Sequence, residues 1–295
     1  MMKKFVGIIV CMGAMLMACK SNVENNNQQL DLNNQQIGIT TVHNARQLGG
    51  YIIGDKKIKD DLLIRSAKLS ELSKEDSTLL SDKYNVQCIY DFRGQDEFVS
   101  EPDVIPGNAR CVSLSISFAA KEEKSQFGAE YQNQQKMIGL LLQYAEHPAI
   151  QTMCENMYEI ILFEEESQEV YRKFFQDLVT LEPENGAVLW HCTQGKDRAG
   201  CASAMLLAAL GADRNLIMAD FILSKDYYEP MVSQIKTETD KQKNVINTLI
   251  SANPDIFEAA LDKIDTEYGS FINYLTECIG VTPAMMQVLR DRYLE

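Results

Sequence analysis

The stretch Ala187-Val188-Leu189-Trp190-His191-Cys192-Thr193-Gln194-Gly195-Lys196-Asp197-Arg198-Ala199-Gly200 organises the reading of this 295-residue chain. Its first four residues are an apolar run of the kind that makes a short buried strand, and Cys201 to Leu210 has the pattern of an apolar helix. Strand, polar loop and helix N-terminus is the order an anion site needs. Backbone N–H groups of Thr193 to Arg198 can converge on one point, and the helix adds its positive end. Arg198 supplies a planar, two-pronged donor that a lysine could not match in geometry. At the base lies Cys192, and a thiol facing N–H dipoles and a guanidinium is favoured as the nucleophilic thiolate. Gly195 lets the loop turn without a Cβ clash.

Working outward, Val86 to Phe92 is a mostly apolar run of the buried parallel-strand type, and Arg110 to Ile116 is a second strand candidate. Between Thr41 and Arg65, Gly49-Gly50 and Gly54-Asp55 separate short apolar pieces, which predicts hairpin structure leading into Leu62-Leu63-Ile64. Ser73 caps a helix through Tyr84, and the pattern is helical from Lys121 to Leu181. That insertion, about 120–182, reads either as helices packed on the sheet or as a lid over a site. After Gly211 come helices over Arg214 to Leu223, from Asn253-Pro254, near Tyr268 to Cys278, and from Thr282-Pro283. Alternating strands and helices with a helical C-terminus give an α/β domain whose central sheet is mainly parallel and flanked by helices.

The composition is that of a folded globular protein, 45% hydrophobic and 24% charged, with a formal charge of −14 that repels phosphate backbones and argues against nucleic acid as a partner. Any anionic substrate must be held by a local cluster of donors. Met1-Met2-Lys3-Lys4 and the apolar run Phe5 to Met17 read as a secretory signal, too short to span a bilayer. The run ends in Leu16-Met17-Ala18-Cys19, which resembles the bacterial lipobox, so that residues 1–18 would be removed and Cys19 acylated. Residues 19–36, rich in Asn and Gln, read as a flexible tether, with the folded domain over 37–295. This arrangement places the domain in the bacterial cell envelope, lipid-anchored outside the cytoplasm. The six remaining cysteines and three histidines match no structural zinc pattern.

The Cys192-to-Arg198 spacing resembles the signature of the protein tyrosine phosphatase superfamily. Asn44-Ala45-Arg46-Gln47-Leu48-Gly49-Gly50-Tyr51 is similar to the opening of the bacterial tyrosine phosphatase-like family, whose loop reads H-C-x-x-G-K-D-R-T-G; Arg65-Ser66-Ala67, Asp91-Phe92-Arg93 and Leu210-Gly211-Ala212-Asp213 match further segments. The resemblance covers the chain from about residue 40 onward. It implies a cysteine-phosphatase fold, no metal or other cofactor, and hydrolysis of phosphotyrosine, in some members of phosphoserine, phosphothreonine or phosphoinositides. It implies Cys192 as the nucleophile, Arg198 as the phosphoryl clamp, and Thr193, Gln194, Gly195, Lys196 and Ala199 as parts of the phosphate loop. Asp197 is the nearest candidate for the general acid, because Val112 to Ser117 offers no carboxylate. Lys196 is expected at the rim, where its charge would suit a multiply phosphorylated head group. His191 is expected to orient the loop, with Arg46 in a supporting role; Asp91 is a second candidate for the acid, though a structural, supporting role at a strand end is the favoured reading.

One position departs from the family: Ala199 stands where a Thr or Ser normally helps the sulfur leave the phosphoenzyme. The alternative function is therefore a phosphate-ligand binding module with slow turnover. Expected partners are a phosphorylated peptide, sugar or lipid head group, and a membrane through the anchor. A rhodanese-like or arsenate-reducing thiol enzyme is disfavoured by Lys196-Asp197-Arg198, and a Walker loop is excluded because Asp197 follows Gly195-Lys196. His43 and His147 read as surface or structural residues, and Cys201 as a helix-core thiol.

Overall fold

The structure, a computed structural model, describes residues 35–117 and 134–295. The stretch read as a signal, Cys19 and most of the stretch read as a tether lie outside the described residues, as does the start of the segment read as a helical insertion. In chain order the strands are β1 Arg46–Gln47, β2 Ile52–Ile53, β3 Lys56–Lys57, β4 Leu63–Ser66, β5 Cys88–Asp91, β6 Arg110–Ser113 and β7 Val188–His191. The helices before β7 are α1 Lys74–Asp82, α2 Gln95–Ser100, α3 Gln134–Tyr144, α4 Pro148–Phe163 and α5 Glu165–Leu178. After it come α6 Arg198–Leu210, α7 Arg214–Val232, α8 Asp240–Leu249, α9 Pro254–Tyr268, α10 Phe271–Tyr274 and α11 Pro283–Tyr293.

The main sheet has the order β1-β4-β7-β5-β6, antiparallel at β1 and parallel elsewhere, with β2 and β3 as a separate hairpin. The expected mainly parallel α/β sheet is therefore present. β7 lies in the middle, and all four of its residues are buried because helices cover both faces. The period of two sorts its neighbours: Ile64, Ile89 and Leu189 join Leu72 and Leu80 on the α1 side. Leu63, Tyr90, Val188 and Trp190 join Tyr171, Phe174 and Leu206 on the other. Cross-sheet register sets Ser66 and Asp91 on either side of His191, so the loops leaving β4, β5 and β7 meet at one edge.

Helix α6 is buried on every side. Its run of Ala, Gly and Ser permits close approach, and Gly200 is needed because a Cβ there would stand 3.0 Å from Arg65 Nη2. Three parts of the C-terminal half differ from expectation. Helix α7 continues through Pro230 to Val232 rather than ending at Leu223. Helix α8 was not signalled, since its buried stripe is only Val245, Ile246 and Thr248. The segment expected as one helix near Tyr268 to Cys278 is broken at Gly269, with φ +77°, and resumes as α10 followed by a π turn over Leu275–Ile279. Among the described residues no helix is long and apolar enough to cross a membrane.

Candidate active site

The loop Cys192 to Arg198 leaves the C-terminal end of β7 and enters α6. Its carbonyls are met by polar groups of five residues. Cys192 O lies 3.3 Å from His191 Nδ1. Thr193 O accepts from Lys68 N at 3.2 Å. Gln194 O accepts from Asn44 Nδ2 at 3.0 Å and the Tyr228 hydroxyl at 2.7 Å. Arg65 Nη2 donates to Gly195 O at 2.6 Å and Lys196 O at 3.3 Å. In a planar trans peptide the N–H opposes the C=O, so carbonyls pinned outward turn the following N–H groups inward. Gly195, at φ +68°, runs close against the end of β4: a Cβ would lie 2.3 Å from Ser66 O.

Behind the loop, Arg65 and Arg46 share one carboxylate, that of Asp220, on α7. Arg65 Nη1 is 2.5 Å from Asp220 Oδ2, Arg46 Nε is 3.3 Å from Oδ1, and the Tyr51 hydroxyl donates to Oδ1 at 2.9 Å. All four residues are buried. Burial alone would raise the Asp220 carboxyl, but Arg65 and Arg46 outweigh it and hold it below its ordinary value. Arg65 is lowered by burial and by the neighbouring Arg46. Arg46 does not touch the loop; it bonds Asp220 and also Asn44, whose amide holds Gln194 O.

Beneath Cys192 a second buried network joins the strand ends. Arg93 donates through Nη2 to Asp91 Oδ2 at 2.8 Å and to Asp103 Oδ2 at 2.7 Å, and His191 Nε2 lies 3.2 Å from Asp103 Oδ2. Against burial, His191 and Arg93 hold the Asp103 carboxyl below its usual range. Asp91, Asp103 and His191 are close enough to suggest a metal cluster. Arg93, however, already supplies the positive charge between the two carboxylates. Asp91 is held by Arg93, and Nδ1 of His191 lies 3.3 Å from Cys192 O.

Cys192 and Arg198 are both buried at the loop's mouth. Sequence reasoning missed the partner of Arg198: Glu97 on α2 accepts from Nη1 at 2.6 Å and Nη2 at 2.9 Å, a two-pronged pair. Ile116 O accepts from Nη1 at 3.0 Å, and Thr193 Oγ1 from Nη2 at 2.9 Å, with the Thr193 hydroxyl also donating to Glu97. The Gly94 N–H, at the start of α2, adds a 2.8 Å bond to Glu97. Burial would raise the Glu97 carboxyl, yet Arg198, Thr193 and Gly94 hold it at about 2. The signal was present in Asp91-Phe92-Arg93-Gly94-Gln95-Asp96-Glu97, an acidic helix start just after a parallel strand.

The structure corrects the reading of Lys196. It is fully buried and does not stand at the rim; its Nζ donates to Asp197 Oδ1 and Oδ2 at 3.0 and 2.8 Å and to Thr248 O at 2.8 Å. Asp197 Oδ1 also accepts from the Tyr158 hydroxyl at 2.8 Å. Ala199 is buried, and its carbonyl accepts from Trp190 Nε1 and Ser203 Oγ. Cys201 is a buried free thiol in α6, where burial pushes it well above the ordinary range, as a core cysteine should be. His147 accepts from Ala149 N at the start of α4. Of the insertion, the described part sets Phe174 of α5 against Tyr90 and Trp190 of the sheet and Tyr158 of α4 against Phe221 and Phe257, and Tyr171 of α5 donates to Arg198 O at 3.0 Å.

The chain is similar to three named phosphatases. A Cupriavidus necator protein named for tyrosine-protein phosphatase activity is 24% identical over 88% of this chain and 88% of its own length. The triple specificity protein phosphatase PtpB of Mycobacterium tuberculosis is 30% identical over 38% of this chain and 46% of its own. A tyrosine-protein phosphatase of Nostoc commune is 27% identical over 58% of this chain and 51% of its own. Residues 37–295 match the Tyrosine phosphatase family as a whole, and with its cysteine-centred anion loop at the sheet edge the chain belongs to that family.

Proposed function

We propose that the chain hydrolyses phosphomonoesters on tyrosine, serine or threonine side chains of proteins through a cysteinyl-phosphate intermediate. Cys192 Sγ attacks phosphorus, the P–O bond to the leaving group breaks, and Asp197 gives the departing oxygen its proton. Water then attacks phosphorus in the phosphocysteine, the Asp197 carboxylate takes up its proton, and the S–P bond breaks to release inorganic phosphate and restore the thiolate. Arg198 and the inward N–H groups carry the phosphoryl charge in both steps. What supports this reading most is the set of loop carbonyls bonded outward around a buried Cys192 beside Arg198. Phosphoinositides are the weaker substrate class, because the lysine expected to meet extra phosphates is buried against Asp197.

The second reading, capture of a phosphorylated ligand with slow turnover, is favoured by Ala199, which offers no hydroxyl where the family has one. The same protein is proposed to be anchored by an acylated Cys19 in the cell envelope, which fatty-acid labelling and a mass shift at Cys19 would test; an unmodified Cys19 in the mature chain ends that idea. The functional experiment is phosphate release by the soluble chain from Ser21 onward, beside Cys192→Ser, on aryl phosphate, phosphotyrosine and phosphoserine peptides, and phosphoinositides. Turnover abolished by the substitution supports hydrolysis and ranks the substrates. Tight binding without turnover in the unsubstituted chain supports capture.

A further inference from the structure

Asp197 enters α6 with helical backbone angles, φ −83° and ψ −76°, so its carboxylate is not folded back as a cap onto its own helix. Its oxygens are taken by the preceding residue and by a residue of α4. Lys196 Nζ reaches both, while itself fixed to Thr248 O at the C-terminal end of α8. The Tyr158 hydroxyl reaches Oδ1 from α4. Tyr158 in turn is wedged by Phe221 of α7 and Phe257 of α9, with ring centres 6.2 and 5.3 Å away. Asp197 thus keeps 13% of its side-chain surface open while its direction is set by other elements of the fold.

We propose that Lys196 and Tyr158 are positioning residues that fix the direction of the Asp197 carboxyl for the leaving-group oxygen. The inference rests on the assignment of Asp197 as general acid under the proposed function. A buried lysine is a costly way to hold a loop, since desolvating its charge opposes folding. A proton donor, by contrast, must lie within hydrogen-bond reach of the oxygen it serves, and small misplacements cost large factors in rate. The clamp and the acid therefore share a fate: whatever depends on Asp197 depends on Lys196 and Tyr158, and what does not depend on it should not.

Leaving groups separate the two. A p-nitrophenolate departs with little help, whereas phenolate and alkoxides need the proton. The test measures kcat/KM for p-nitrophenyl, phenyl and alkyl phosphates with the full soluble chain, Asp197→Asn, Tyr158→Phe, Lys196→Met, Cys192→Ser and the double variant Asp197→Asn with Tyr158→Phe. Tyr158→Phe keeps the ring packing and removes one hydroxyl. It is expected to lose about tenfold on phenyl and alkyl phosphates, less than about twofold on p-nitrophenyl phosphate, and nothing further in the Asp197→Asn background. Lys196→Met should show the same pattern with a larger loss. A Tyr158→Phe loss equal on all three substrates, or one that multiplies with Asp197→Asn, overturns the proposal. If Asp197→Asn is itself indifferent to the leaving group, the acid assignment fails and the proposal with it. Turnover that survives Cys192→Ser instead fails the cysteine mechanism, a different result from either.

Discussion

Replacing Glu97 by Gln removes the carboxylate that holds Arg198 from outside the loop. The shape is kept, and one neutral acceptor remains for the guanidinium. The Glu97 carboxyl lies at about 2, against an ordinary 4.5, because its bonds to Arg198, Thr193 and Gly94 outweigh its burial. That drop alone corresponds to ~3.4 kcal/mol of stability at neutral pH. Since 37% of the Glu97 side chain is exposed, solvent screening reduces it by roughly half, to ~1.5–2 kcal/mol. The folded-state value lies below the unfolded one, so this stabilisation is complete above about pH 4.5 and is lost as pH falls toward about 2. By pH 3.5 about two-fifths of it should be gone. Urea unfolding of the Cys192→Ser chain with and without Glu97→Gln, at pH 7, 5 and 3.5, reads the difference directly. The gap should be constant between pH 7 and 5 and shrink at pH 3.5. Equal stability at pH 7, or a gap that does not narrow in acid, would refute the pairing as an energetic link. In the active chain the same substitution should weaken inhibition by inorganic phosphate about tenfold, because Arg198 loses its outer support.

Gly195→Ala places a Cβ 2.3 Å from Ser66 O and 2.7 Å from Ala67 N at a φ of +68°, with backbone on the receiving side. It should destabilise by ~3 kcal/mol or more and abolish phosphate inhibition, read by thermal unfolding and by a competition assay. Ala199→Ser restores a hydroxyl at the start of α6. If its absence limits phosphoenzyme hydrolysis, the unsubstituted chain shows a burst of phenol release before steady state, and the variant turns over about tenfold faster with a smaller burst; a wild-type trace without a burst contradicts this. Asp220→Asn leaves two buried guanidiniums without their shared anion and should cost ~3–5 kcal/mol in denaturant unfolding, more than the same change at exposed Asp262.

The parts of the site that were legible in sequence are the contiguous ones. Cys192, Gly195, Asp197 and Arg198 sit on one strand–loop–helix unit, and short apolar runs such as Val188–Trp190 announce buried parallel strands by composition alone. What escaped is everything held by distant polar contact. Glu97 precedes Arg198 by 101 residues, and Thr248 follows Lys196 by 52. Such pairs leave no period in the chain, since each is a single side chain whose partner is fixed only by tertiary packing. Lys196 was misread for that reason: a lysine in a glycine-containing loop is ordinarily solvated, and only the approach of α8 and Tyr158 supplies the acceptor and the company that bury it. Helix α8 was missed for a related one. Its stripe of Val245, Ile246 and Thr248 is too narrow to stand out from Asp240-Lys241-Gln242-Lys243-Asn244, and the helix owes its place to packing on α4.

The buried charges around the loop follow one logic. A buried ion pair is weak evidence for stability, because an apolar replacement of the same volume often folds as well or better. Arg65 and Arg46 with Asp220, and Arg93 with Asp91 and Asp103, are therefore poorly explained as devices for holding the domain together. Arg65 donates to the loop carbonyls of Gly195 and Lys196, Arg46 bonds Asn44, whose amide holds Gln194 O, and Asp103, paired with Arg93, lies 3.2 Å from Nε2 of the histidine that precedes Cys192. Apolar side chains could fill those volumes, but none could pull a carbonyl outward, and without that pull the peptide planes are free to rotate their N–H groups away from the centre. Two guanidiniums on one carboxylate also leave an excess positive charge behind the loop, fixed before any ligand arrives. A chain with a formal charge of −14 repels a phosphate dianion at long range. The loop must then recover at short range what the surface opposes, and dipoles that are already oriented do so without reorganising as the ligand binds.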